Sequence, residues 1–397
     1  MADYKYLIVG GGMTAASAIQ GIREIDKTGA VGLIGTDTHP PYNRPPLTKG
    51  LWKGESIESI WRPIDQQNTT LHLGRTAQKL DPQSRQVTDD QGTVYAYEKL
   101  LLATGATPNR LAFGGDEIIY FRTLDDYQRL RDLARPGRRI AVIGGGFIGS
   151  EIAAALAMSG CEVVMLFPDE AICSRMFPSD LAAFLNDYYR QKGIDLVNGA
   201  RVQAMETSNG KHRLRIDSAH PGSQTDVIVD VVVAGIGVTP NVELAQSAGL
   251  LVDQGIRVDA ALRTSHPDIY AAGDVARFHN PALDRWLRVE HEDNANTMGE
   301  MAGASMAGKA VAYDHLPFFY SDLFDLGYEA VGELDSQLET VTDWKEPYQE
   351  GVVYYLRDGL VRGVLLWNVW EQVDAARGLI ASKSPVRPAD LKGRLPE

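Results

Sequence analysis

The apolar positions of this chain gather in short unbroken runs instead of alternating with polar ones. Tyr6-Leu7-Ile8-Val9, Val31-Gly32-Leu33-Ile34, Ile140-Ala141-Val142-Ile143 and Glu162-Val163-Val164-Met165-Leu166 read as strands, and the first and third have the continuous apolar pattern of parallel strands buried on both faces. Thr14 to Ile25 and Ser150 to Met158 follow the first and third of these runs and read as helices. Further strands are expected at Gln86-Val87-Thr88, Lys99 to Gly105, Val229 to Gly235 and Asp268 to Ala272, and a helix over the Ala- and Met-rich stretch Asn294 to Val311. From about Asp314 the pattern changes. Tyr328 to Gly332 and Val352 to Leu356 are strand-like between Gly and Asp turns, and Trp370 to Ile380 closes the chain as a helix.

Two of the buried runs end in glycines, at Gly10-Gly11-Gly12-Met13-Thr14-Ala15 and Gly144-Gly145-Gly146-Phe147-Ile148-Gly149. A glycine turn between a strand and a helix lets the backbone approach a pyrophosphate, which then sits where free N–H groups and the helix dipole favour an anion. Ala15 replaces the third glycine of the first motif and still permits close helix–strand packing. After the next strand Asp37 stands at about the spacing where a carboxylate takes ribose hydroxyls. The corresponding strand of the second unit leads into Phe167-Pro168-Asp169-Glu170, and two carboxylates there would repel a 2′-phosphate, so NADH is favoured over NADPH. Arg175, a few residues on, could reach a ribose or phosphate. A chain that grips two dinucleotides points to a flavoenzyme.

The expected fold class is α/β: two Rossmann-like dinucleotide-binding domains, diverged copies at motif level, and a C-terminal α+β domain. Residues 1–112 with 240–313 form the expected FAD domain, 113–239 the NAD domain and 314–397 an interface domain. A length of 397 residues accommodates these, and a formal charge of -13 argues against a broad surface for nucleic acid or anionic lipid. No secretory signal and no bilayer-length apolar run is visible, which makes the cytoplasm the expected location. Cys161 and Cys173 supply neither a disulfide framework nor a CxxC or CxxxxC redox pair. No His, Cys and Asp cluster has metal-ligand spacing.

Motifs beyond the fingerprints make the chain similar to the two-dinucleotide flavoprotein reductases of the glutathione reductase structural type. These are Pro41-Tyr42-Asn43-Arg44-Pro45-Pro46-Leu47-Thr48-Lys49, Ala103-Thr104-Gly105, Gly235 to Asn241 and Ala272-Gly273-Asp274. Leu166-Phe167-Pro168-Asp169, Val289-Glu290-His291, Tyr320-Ser321-Asp322-Leu323, Gly327-Tyr328-Glu329 and Leu365-Leu366-Trp367-Asn368 make it resemble the branch of apoptosis-inducing factor and the ferredoxin, rubredoxin and putidaredoxin reductases.

The resemblance implies that Gly10 to Ala15, Asp37, Arg44, Ala77, Thr104, Gly105 and Asp274 hold FAD, with Arg44 on the pyrophosphate and Asp274 on the ribityl hydroxyls. Arg110 takes over a contact that the family usually makes one place earlier. Gly144 to Gly149, Asp169, Arg175 and Gly237 would hold the nicotinamide dinucleotide. Glu290, His291 and Tyr320 would line the flavin and nicotinamide faces, with Glu329 and Asn368 assigned to the same cofactor surroundings. Tyr320 stands where the family tends to carry tryptophan. Lys49 and Glu151 would form a salt bridge beside the isoalloxazine, and with His291 and Tyr320 make up the expected catalytic set.

Hydride would pass from nicotinamide C4 to flavin N5, with the protein supplying position and field. Disulfide reductases of this architecture carry a CxxxxC pair beyond the first ribose acid, where this chain has Pro45 to Lys49. Electrons are therefore expected to leave directly to an iron–sulfur protein, a quinone or dioxygen. An alternative is a redox sensor, in which a long-lived flavin–NAD+ charge-transfer complex controls partner binding or an NADH-linked homodimer.

Overall fold

In the computed structural model, which describes residues 2–64, 68–218 and 226–395, the first apolar run becomes the strand Ala2–Val9 at the centre of a seven-stranded sheet. It pairs in parallel with Val31–Gly35 on one side and Val94–Leu102 on the other. Thr69–Leu73 extends one edge, and Ile269–Ala271 pairs in parallel with the end of Val94–Leu102. The polar-spaced strands Gln86–Asp89 and Ala77–Asp81 attach antiparallel at the start of Val94–Leu102. Leu7, Ile8, Val31, Leu33, Leu100 and Leu101 are buried in its core. This sheet belongs to a compact unit of residues 1–43, 56–107 and 239–319.

Two helices of that unit touch backbone to backbone. Gly299 and Gly303 of Glu292–Met306 lie so close to Met13–Ile25 that a Cβ would come within 2.5 Å of Thr14 O and 2.0 Å of Ala18 O. Gly21 makes the reciprocal approach to Glu300 O, at 1.9 Å. The second helix stops at Met306, short of the expected Val311. Gly308 adopts φ 98° while Lys309 N bonds back to Ala304 O at 3.0 Å, a left-handed stop that glycine takes without strain.

The second unit comprises residues 44–55, 108–238 and 320–397. Its parallel sheet runs Asp195–Asn198, Glu162–Phe167, Arg139–Ile143, Val231–Ala234, Ile118–Tyr120. A three-stranded antiparallel ribbon, Ala200–Ser208, Lys211–Ser218 and Asp226–Val229, packs Leu214, Ile216 and Val227 into the same core as Val164, Leu166 and Val232. The C-terminal part is a five-stranded sheet in the order Phe318–Leu323, Leu326–Gly332, Leu360–Trp367, Glu350–Arg357, Glu339–Glu346. The closing helix starts at Val373 rather than Trp370, because Asn368 and Glu371 take positive φ of 50° and 64° and break the helical path.

Residues 44–55 join this unit through Trp52, edge-on to Tyr127 at 5.6 Å, and through Tyr127 Oη, which donates to Leu51 O at 3.3 Å. Among the described residues no helix is long and apolar enough to cross a membrane.

Candidate functional site

Each fingerprint occupies the turn that the sequence places it on. Gly10 has φ 128°, and a Cβ there would lie 2.0 Å from Ala103 O, so both conformation and space demand glycine. Gly12 caps the helix that begins at Met13 without a side-chain bond. Ala15 is fully buried in the core. Gly273, at φ 77°, packs against Thr14 so closely that a Cβ would meet its Oγ1 at 2.3 Å, and this sets Asp274 beside the first helical turn. Arg288 donates to Asp274 O at 3.1 Å and pairs with Glu290 at 2.7 Å. Asp37 is oriented by Tyr42 Oη at 3.0 Å and His39 N at 3.0 Å.

Ala77 opens an edge strand opposite Asp89. Thr104 donates to Asn241 O at 2.7 Å and Asn241 N bonds Gly105 O at 3.0 Å, so the Thr104 hydroxyl is engaged in anchoring its own turn.

His291 caps Glu292–Met306 and lies against Phe319, ring centroids 4.4 Å apart. Its Nδ1 is enclosed and has no hydrogen-bond partner among the described residues. Burial pushes the imidazole down to about 4, against the pull of Asp274 and Asp293, so the ring is neutral at neutral pH and one nitrogen is left for a bound group.

In the second fingerprint the glycines divide their work. A Cβ at Gly144 (φ 124°) would lie 2.3 Å from Gly235 O, at Gly145 2.7 Å from the Phe167 ring, and at Gly149 2.0 Å from Gly144 O. Gly146 has nothing within 4 Å. Three of these positions serve turn and packing, whereas Gly146 leaves backbone open to a ligand. Phe147 begins the helix, and Ile148 is 41% exposed beside it.

Arg175 lies on Asp169, with Nη2 at 3.1 Å, so the strand end carries a paired carboxylate and not two free ones. Gly237 (φ 90°) accepts from Asn109 N at 2.9 Å. Arg110 is turned to Asp116 at 2.6 Å and over the Tyr120 ring at 4.9 Å, in an exposed pair.

The Lys49–Glu151 pair forms at 2.7 Å with side chains only 12% and 5% exposed. Glu151 stands at the start of the second turn of the Phe147–Met158 helix, and Lys49 caps the short helix Gly50–Lys53. Arg44 starts the turn that delivers Lys49, its carbonyl accepting from Leu47 N at 2.9 Å. Thr48 Oγ1 and Ser321 Oγ also donate to the Glu151 carboxylate, each at 2.6 Å. These two hydroxyls carried no assigned role in the sequence reading, although both stand beside residues that did, Lys49 and Tyr320. The Lys49 ammonium lies 5.2 Å from the Tyr320 ring centroid, within cation–π range.

Glu329 has an enclosed Oε2 with no partner among the described residues and a carboxyl raised by burial. Asn368 instead engages both ends of its amide, accepting from Gly327 N at 2.7 Å and donating to Gln349 O at 2.8 Å. Both cysteines are free and buried, and burial pushes the Cys173 thiol up to about 12.

Residues 4–306 match the family described as pyridine nucleotide-disulphide oxidoreductase, and residues 302–347 and 342–382 match the C-terminal domain of mitochondrion-associated apoptosis-inducing factor. The ferredoxin–NAD(+) reductase component of the anthranilate 1,2-dioxygenase system of Burkholderia cepacia is 34% identical over 98% of this chain and 97% of its own length. Apoptosis-inducing factor 1 of Dictyostelium discoideum is 32% identical over 97% of this chain and 79% of its own. Among solved structures, the covalent putidaredoxin reductase–putidaredoxin complex superposes with a TM-score of 0.90 at 30% identity, covering 98% of this chain and 96% of that one.

Proposed function

Because the chain belongs to the pyridine nucleotide-disulphide oxidoreductase family, we propose that it carries reducing equivalents from NADH through FAD to a small iron–sulfur protein of the ferredoxin class. It is an oxidoreductase with FAD and NAD as cofactors. FAD supplies the ability to accept two electrons at once and release them singly. The named relatives that support a ferredoxin-class acceptor are the Burkholderia reductase component and putidaredoxin reductase of Pseudomonas putida, 31% identical over 98% of this chain.

The residues fit both cofactors. In the first unit, Gly10 to Thr14 offer a glycine turn at a helix N-terminus, Asp37 an oriented carboxylate, and His291 an unpartnered ring nitrogen. In the second, Gly146 leaves open backbone and Asp169 with Arg175 forms a polar rim. We assign FAD to the domain of residues 1–112 and 240–313, NAD to 113–239, and an interface role to 314–397.

One observation carries the reading: a buried Lys49–Glu151 pair, braced by two hydroxyls, in a chain whose two cysteines are separate, buried and unpaired. Lys49 presents a fixed cation that favours negative charge developing beside it, and Glu151 with Thr48 and Ser321 holds it in place. Anaerobic addition of NADH to the yellow protein tests this. The oxidised flavin absorption is expected to bleach and to return on adding a ferredoxin; a flavin left oxidised by NADH overturns the reading.

A second reading, a redox sensor with a long-lived flavin–NAD+ complex and an NADH-linked homodimer, is favoured by the match of the C-terminal region to apoptosis-inducing factor. A long-wavelength absorption band that persists in air, together with a shift in molecular mass on adding NADH, would support it over the reductase.

A further inference from the structure

Arg62 lies outside every motif named above, yet its guanidinium ties together three segments of the first unit. Nε donates to Asn43 Oδ1 at 2.7 Å. Nη1 donates to Met13 O at 3.0 Å and to Ser17 Oγ at 2.9 Å. Nη2 donates to Asn296 Oδ1 at 2.6 Å. Asn43 follows the bridge residue Tyr42 and precedes Arg44. Met13 and Ser17 form the first turns of the helix that follows the glycine fingerprint, and Asn296 lies one turn into the helix capped by His291.

The main chain reinforces this contact. Tyr42 and Trp61 form an antiparallel bridge, with Asn43 N bonding Ile60 O at 2.8 Å and Arg62 N bonding Pro41 O at 3.1 Å. Tyr42 in turn holds Asp37. The segments that Arg62 joins therefore carry or adjoin the residues assigned to the adenine ribose, the pyrophosphate and the flavin end of FAD.

All four acceptors of Arg62 are neutral groups. The cation also lies at the N-terminal end of the Met13–Ile25 helix, where the dipole favours negative charge. Burial depresses the guanidinium, and Glu292 offsets this in part. A cation is a poor choice for this place on stability grounds alone. It would become a good one if the adjoining glycine turn received a diphosphate, whose negative charge would favour both the helix end and a nearby cation.

We propose that Arg62 is a positioning residue for FAD, whose planar fork holds the fingerprint turn, the loop before Arg44 and the His291-capped helix in the geometry that receives the pyrophosphate. The proposal rests on the FAD assignment above. A lysine has one charge but no fork and cannot span Asn43, Ser17 and Asn296 together.

The test compares Arg62→Gln and Arg62→Lys with wild type by titrating each apoprotein with FAD, following flavin fluorescence and visible circular dichroism, and by melting each apoprotein without FAD. R62Q is expected to weaken FAD binding about tenfold or more, the order set by one charge-assisted hydrogen bond. R62K is expected to recover only part of this, while the apoprotein melting temperature changes less than that of the FAD-bound form. Should R62Q not fold, Asn43→Ala and Ser17→Ala each remove one spoke, and each is expected to weaken FAD severalfold. Wild type that binds FAD while these variants bind it equally well overturns the Arg62 proposal alone. So does a drop in melting temperature that is the same with and without FAD. Wild type that binds no FAD overturns the site assignment itself.

Discussion

At the scale of single residues, charge burial decides what the site can do. Lys49 and Glu151 are nearly enclosed, and removing one member of such a pair leaves the other charge uncompensated at a cost of about 3–5 kcal/mol. Lys49→Met is therefore expected to lower stability by about that amount and to slow flavin reduction by NADH roughly a hundredfold, the scale of one lost electrostatic contact to a developing charge. Combining it with Glu151→Gln should restore part of the stability but none of the rate, as read by urea denaturation and stopped flow. Equal stability of the single and double variants would count against a coupled pair.

His291 gives a pH signature. Its folded imidazole sits at about 4 against an ordinary 6.5, so the unfolded chain takes up a proton first as pH falls. Stability from this residue is whole above about pH 6.5 and is lost progressively as pH falls toward 4, by about 1–3 kcal/mol. Apoprotein carrying His291→Leu should show a flatter stability profile across that window in denaturant melts. Both members of the Lys49–Glu151 pair were legible through motif position. Thr48 and Ser321 were not assigned, because a hydroxyl declares a role only through the carboxylate it meets, and Ser321 stands 170 residues from Glu151.

At the scale of elements, glycines separate structure from binding. Gly149 packs on Gly144 with no room for a methyl group, whereas Gly146 has open space and an ordinary negative φ. Gly149→Ala is expected to lower the melting temperature, through an overpacking penalty of about 1–3 kcal/mol, and to weaken NADH as well. Gly146→Ala should leave the nucleotide-free protein near wild-type stability yet raise the NADH KM about tenfold or more, because its methyl group intrudes where backbone and pyrophosphate meet. If both variants behave alike in melting and kinetics, this division of roles is wrong.

The strand–turn–helix units were readable because buried parallel strands need continuous apolar runs and the turns need glycine. Element ends were less so. The helix expected to reach Val311 stops at Met306 at the Gly308 turn, although Lys309, Ala310 and Val311 beyond it are no less compatible with a helix by composition. Asn368 shows the same limit at a strand end: its motif places it among the cofactor candidates, but that its amide bonds Gly327 N and Gln349 O is visible only in the fold.

For the whole molecule, two units with separate cores imply separable ligand responses. Saturating FAD should stabilise by mass action, about 2.7 kcal/mol at a hundredfold excess over Kd. Its protection in hydrogen exchange is expected around residues 10–17 and 273–274, while NAD+ should protect 144–151 and 167–175. Protection by NAD+ confined to the first unit would reverse the assignment.

The sequence by itself determined the two dinucleotide turns, the lack of a redox cysteine pair and the α/β class, because each follows from local rules: glycine for positive φ, apolar runs for buried strands, cysteine spacing for thiol exchange. Only tertiary structure decided that Arg175 sits on Asp169, that Thr48 and Ser321 brace Glu151, and that Arg62 joins three segments. Apart from Arg175 and Asp169, which lie six residues apart across a loop, those are meetings of polar groups far apart in the chain. Their partners are chosen by how the backbone packs, through contacts such as the glycine-lined helix pair, and no periodicity along the sequence encodes them.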